Sequence, residues 1–228
     1  MLKRGKKGQS HLETILSFTL FIGFVVTMLL FFRPATTSKE ISLNVVEKAV
    51  ISNLSVKLYF FSVKASDEEC FCFTNPYPNI EGNVVIEDSG KNRLDAWKSY
   101  GKVCIEQNEA DFFYIYFSSE FEESSGDCDR TIFLEEENLG LMRESDAISN
   151  TALNYMRERY TLDYNSLKAE LGILYDFKAT VFDMSGNEIF RIERKAPLGR
   201  PVYSRDVPTE IVYEDGKIEK VIIRVYAW

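Results

Sequence analysis

Four cysteines, Cys70, Cys72, Cys104 and Cys128, are the residues best placed to do chemistry in this chain. An even set of thiols without a C-x-x-C pair speaks for two disulfides rather than for zinc. Cys70 and Cys72 stand two apart in CFCF. On a strand both would face one side, and a bridge between them is sterically awkward. Two pairings stay open: Cys70–Cys104 with Cys72–Cys128, or Cys70–Cys128 with Cys72–Cys104. Carboxylates are the other reactive type. Glu135-Glu136-Glu137 and Asp127/Asp129 have the residue types for acid and base work, but acidic runs are usually solvated surface. The loop Glu122 to Asp129 lacks the ordered ligand spacing of an EF-hand. The chain has one histidine, His11. The residues beyond it therefore hold no Ser-His-Asp or Cys-His arrangement and no His-ligated metal. No Walker loop or GxGxxG pattern occurs. The chain reads as a non-enzyme, with no catalytic residue, cofactor or metal site.

The element that must place this chemistry in an oxidising compartment lies at the N-terminus. Lys3, Arg4, Lys6 and Lys7 precede an apolar stretch, and no residue from Thr14 to Phe32 is charged. At about 1.5 Å per residue that stretch makes a rod of roughly 28 Å, close to the hydrocarbon thickness of a bilayer. The expectation is a transmembrane helix in contact with membrane lipid. The basic flank then puts Met1 in the cytoplasm and the head outside, as a single-pass protein. A cleaved secretory signal would have a shorter apolar run and a small-x-small site; Arg33-Pro34 and Ala35-Thr36-Thr37 supply a poor one. A plain signal anchor leaves two features without a role: the Gly8-Gln9 junction, and Glu13 at the mouth of the run.

Gly8-Gln9-Ser10-His11-Leu12-Glu13, behind its basic residues and before its apolar helix, resembles the archaeal type IV prepilin signal, the class III signal peptide. In that family Ser often stands two residues after the Gln and Phe often follows the Glu; here His11 and Thr14 hold those places. The resemblance covers about 30 residues by the length of one such helix and its leader. It implies cleavage between Gly8 and Gln9 by a prepilin peptidase, with the apolar helix kept on the mature chain. That helix would pack among other pilin subunits, placed there by the filament assembly machinery. It gives Glu13 a role in assembly: the amine freed on Gln9, with a reference pKa of about 7.7 to 8.0, would meet the Glu13 carboxylate of another copy. Such a pair would set subunit register and offset the cost of an apolar-buried carboxylate, up to about 2.5 to 3.5 kcal/mol. The size of the head points to a minor subunit, with adhesion as a possible task. The rival from another class is a non-polymerising, single-pass surface protein whose head binds a ligand or partner.

The rest of the sequence must build that head. The net charge is −8, and loss of the leader would make it more acidic still, which excludes a nucleic-acid partner. Ser38 can cap a helix from Lys39 to Asn53. Leu43, Val46 and Val50, with Ile41, Val45 and Ala49, form its apolar stripe. Ser55–Val63, NVVIE, GKVCIE and RTIFLE read as strands, and FFYIYF over Phe112–Phe117 reads as a central one. Ser145 to Tyr160 reads as helix, with a second short helix ending at Gly172. Hairpins are expected at Ser185-Gly186 and Asp215-Gly216. Asn53-Leu54-Ser55 is the one glycosylation sequon. The organisation expected is a leader over 1–8, a transmembrane or pilin-core helix over 9–33, an amphipathic helix with β-rich head over 34–143, and a helical segment with C-terminal hairpins over 144–228. The fold class is α+β: a transmembrane helix, an amphipathic helix and a β-rich extracellular head with antiparallel hairpins.

Overall fold

The computed structural model describes residues 7–31, 36–64, 70–106, 112–128 and 130–228. The chain divides into two compact units, Met1–Ile41 and Ser42–Trp228. In the first, Lys7–Phe31 forms helix α1. Among the described residues, no helix is long and apolar enough to cross a membrane, which corrects the transmembrane expectation. Ser17, Thr19, Gly23 and Thr27 stand among the apolar residues of α1. Pro34 lies outside the described residues.

The second unit is dominated by sheet, with thirteen strands among the described residues. This corrects the expected α+β class to a sheet-rich fold. Helix α2 (Thr36–Leu54) leads without a loop into β1 (Ser55–Lys64). The strands β2 (Cys70–Thr74), β3 (Asn83–Asp88), β4 (Arg93–Leu94), β5 (Ala96–Ser99), β6 (Lys102–Glu106), β7 (Phe112–Ser118), β8 (Thr131–Ile132) and β9 (Arg143–Ser149) follow. Helices α3 (Asn150–Leu162) and α4 (Tyr164–Glu170) precede the strands β10 (Phe177–Asp183), β11 (Glu188–Ile192), β12 (Tyr203–Val212) and β13 (Ile218–Ala227).

Nine strands make one sheet in the order β11-β10-β13-β12-β9-β1-β7-β3-β4, and four make a second in the order β5-β6-β2-β8. Both are mixed. β12 runs parallel to β9 through Ile211↔Ile148 and Val212↔Ser149, and β2 runs parallel to β8. Strands from both sides of position 143 share the large sheet. The expected helix from Ser145 begins later, because Arg143 to Ile148 pair with β1. Ser149 then serves as N-cap: its Oγ accepts a hydrogen bond from the Ala152 amide at 2.8 Å and donates to Glu120 Oε2 at 2.6 Å.

Strand alternation assigns the core. Ile148 pairs with Ser55, and Phe61 and Val63 continue that parity along β1, so one face of the large sheet carries two separate clusters. At one end Leu43, Val46, Val50 and Leu54 of α2 pack with Leu153, Met156 and Leu167 over β10, β12 and β13. At the other end Phe61, Phe113, Ile115 and Phe117 pack against Phe71, Phe73 and Ile105 of the small sheet. Between the two, exposed Lys57 bridges Glu144 at 2.6 Å and Asp146 at 2.9 Å. The opposite face holds a smaller group around Leu58, Val85, Ala147 and Val212. The Asp215-Gly216 turn closes the β12–β13 hairpin. Gly216 has φ 87°, and a Cβ there would lie 2.5 Å from Val85 Cγ2, so no other residue fits without displacement.

Candidate functional site

Glu13 sits near the start of α1, exposed to solvent. Behind it Ile15, Leu16, Phe18, Leu20, Phe21, Ile22, Phe24, Val26 and Met28 are all 45–68% exposed. At about 100° per residue these positions reach every side of the helix. Two hydroxyls among them are already satisfied: Thr19 Oγ1 donates to the Ile15 carbonyl at 2.8 Å and Thr27 Oγ1 to the Gly23 carbonyl at 2.7 Å. They can therefore be covered without stranding a donor. A Cβ at Gly23 would meet nothing within 4 Å, which leaves a flat spot for close approach of another backbone. Each apolar side chain taken fully out of water contributes roughly 1.5–3 kcal/mol. The helix thus holds a large driving force for association. Gly8 and Gln9 belong to the helical backbone of α1, while Met1 to Lys6 lie outside the described residues.

The cysteines pair as Cys70–Cys128 and Cys72–Cys104, the second of the two open connectivities. Cys72 and Cys104 are directly opposed across β2 and β6, with Cα atoms 4.0 Å apart. Their bridge rivets the ladder. Cys70–Cys128 spans 58 residues of sequence and ties the segment after β7 back across the outer face of the small sheet. There Gly126 lies flat on the Trp97 ring, where a Cβ would fall 2.6 Å from Cζ3, and Ser124 Oγ donates to the Ala96 carbonyl. Both bridges share one small cluster with Trp97.

The remaining sequence candidates stay apart. Glu135 and Glu137 are exposed at a short 3-10 turn. Asp127 is exposed, and Asp129 lies outside the described residues. No group of three His, Cys, Asp or Glu among the described residues is placed to hold a metal. Asn53 is exposed in the last turn of α2, where Ser55 Oγ donates to the Ile51 carbonyl at 2.7 Å. The sequon hydroxyl is thus engaged by the helix, rather than free beside the Asn amide.

One arrangement escapes sequence reading. On the face of the large sheet away from the helices, Phe60 meets the Tyr116 ring at a tilt, 5.1 Å between centroids, and stacks on Tyr114 at 5.9 Å. A cleft of about 350 Å³ opens beside them, lined by Leu58, Phe60, Tyr116, Arg143, Ser145 and Glu210 among others. The signal for it was present in FFYIYF, whose tyrosines alternate with core residues. Burial, with Glu87 and then Glu210 nearby, pushes the Tyr116 phenol up to about 12, so it stays a hydrogen-bond donor at neutral pH.

No protein-family model matches the chain, nor does any curated protein or solved structure.

Proposed function

We propose that this chain is a type IV pilin-like subunit, of the minor kind, trimmed after Gly8 by a prepilin peptidase and held in a surface filament by α1. The observation that carries the reading is the α1 surface itself. Apolar on all sides and roughly half or more exposed from Ile15 to Met28, it calls for partners of equal length and character, which α1 helices of other subunits supply. Glu13 stands at the polar end of that surface, where the amine of a processed Gln9 from a neighbouring copy answers it. The sequence signature from Gly8 to Glu13 supports the same reading. Two disulfides suit a head folded outside the cytoplasm.

The test has two arms. Mass spectrometry of the mature protein is expected to find Gln9 as the first residue. An intact Met1 counts against processing. A Glu13→Ala variant is expected to be processed normally but to be missing from sheared filaments, and undiminished incorporation refutes the register role.

A further inference from the structure

Phe60 and Tyr116 are half-buried on the open face of the large sheet, and the polar groups around them narrow what the cleft beside them can take. Phe60 and Tyr116 are directly opposed across β1 and β7, as are Phe60 and Arg143 across β1 and β9, and Leu58 and Ser145. All therefore project from one face. Glu210 of β12, on the parity of buried Val212, borders the same cleft. The side chains of Arg143, Ser145 and Glu210 have no hydrogen-bond or ion-pair partner among the described residues. This sets them apart from their neighbours, since Lys57 is bound to Glu144 and Asp146, and Arg224 holds Asp206 through two nitrogens.

Charge decides among occupants. Glu210 and Glu87, which stands opposite Tyr114 on this face, disfavour an anion. Arg143 sets a donor on the same rim as the Glu210 acceptor, so the rim asks for a ligand carrying both rather than a single charge. An apolar protein surface would bury Arg143, Ser145 and Glu210 unpaired, at about 1–3 kcal/mol for each stranded group. What remains is a neutral ligand with a flat apolar face and both donors and acceptors at its edge. Arg143 can only donate, Glu210 can only accept, and Ser145 and Tyr116 do either. Hydroxyl groups on a ring satisfy all four. The cleft volume of about 350 Å³ falls at the small end of ligand sites.

We infer that the shelf formed by Phe60 and Tyr116, rimmed by Arg143, Ser145 and Glu210, is a binding site for a neutral saccharide. A sugar ring lays its C–H face on the two aromatic rings, and its hydroxyls accept from Arg143 and donate to Glu210. Nothing in this depends on filament assembly: a chain that binds sugar and never polymerises upholds this inference and defeats the other.

The experiment titrates the full chain, in a sugar-free zwitterionic detergent, with mannohexaose, chitohexaose and cellohexaose by calorimetry. Hexalysine and hexaglutamate serve as charged probes. Saturable binding of at least one hexasaccharide is expected, weakened about tenfold or more in Arg143→Ala and in Glu210→Gln, the loss of one charged hydrogen bond. Arg143 is exposed and Glu210 half-buried at the rim, and neither is paired among the described residues, so the thermal midpoint should hold. Tyr116→Ala should abolish binding, and should it fail to fold, the two rim variants decide alone. The inference is overturned if no hexasaccharide binds up to the millimolar range. It is equally overturned if binding ignores both rim variants, or if a charged peptide binds where the sugars do not.

Discussion

The two ends of the large sheet solve the same problem by different means. At the β10–β13 end, helices α2, α3 and α4 lie over long hairpin strands, and every buried side chain of that cluster belongs to a continuous apolar layer. At the β7–β3 end the cover is a sheet of two- to five-residue strands, too short to hold themselves. That end relies on an aromatic core and two covalent ties. The difference teaches that cross-links appear where local structure is weakest, and that helical packing makes them unnecessary elsewhere.

Three perturbations would break or sharpen this contrast. The largest effect is expected at the helical end. Phe177 is fully buried and meets the rings of Tyr160 at 5.6 Å and Tyr164 at 5.9 Å. Phe177→Ala should cost about 3–5 kcal/mol in urea unfolding, equally with and without reductant. A reductant-dependent loss would mean the ends are not independent. Next, removal of the disulfides by reduction or Cys→Ser exchange should cost about 2–4 kcal/mol for each bridge. Hydrogen exchange should then rise in β2, β5 and β6 while α3 and β13 stay protected. Uniform loss across both ends would overturn the division.

The smallest effect concerns acid. Burial pushes the Asp176 carboxyl up, but Lys168 donating at 2.9 Å and Tyr164 at 3.0 Å outweigh it and hold the group below the usual carboxylate range. A depressed folded value gives stability that is complete above the unfolded value of about 3.9. It is lost as pH falls through the folded one. Acid titration of Asp176→Asn against the parent should show the parent's advantage shrinking below about pH 4. A difference that stays constant with pH would remove the carboxylate from the account.

Much of the local structure was legible in the residues. The α2 stripe of Leu43, Val46 and Val50 is buried as its spacing demands, and Phe112–Ser118 lies between β1 and β3 as its two-sided apolarity implied. The Asp215-Gly216 turn was plain, because a positive φ at that site admits little but glycine. Long-range pairing was not legible. Ser145 to Ser149 satisfies helical and strand patterns alike, and only β1 alongside it decides. The disulfide choice depended on Cys72 falling opposite Cys104, a matter of register between β2 and β6. The saccharide shelf was hidden for the same reason: Phe60, Tyr116, Arg143 and Glu210 come from four strands. The α1 apolar run was visible at once, while its expected role as a membrane span is not upheld among the described residues.

The loop-free passage from Leu54 to Ser55 carries a mechanical consequence. A pull on α2 passes straight into β1, which holds six residue pairs with β7 and six with β9. Both ladders therefore share any load that reaches β1. β1 is an interior strand of the nine-stranded sheet, so such a load enters the sheet away from its edges, on the strand that also carries Phe60.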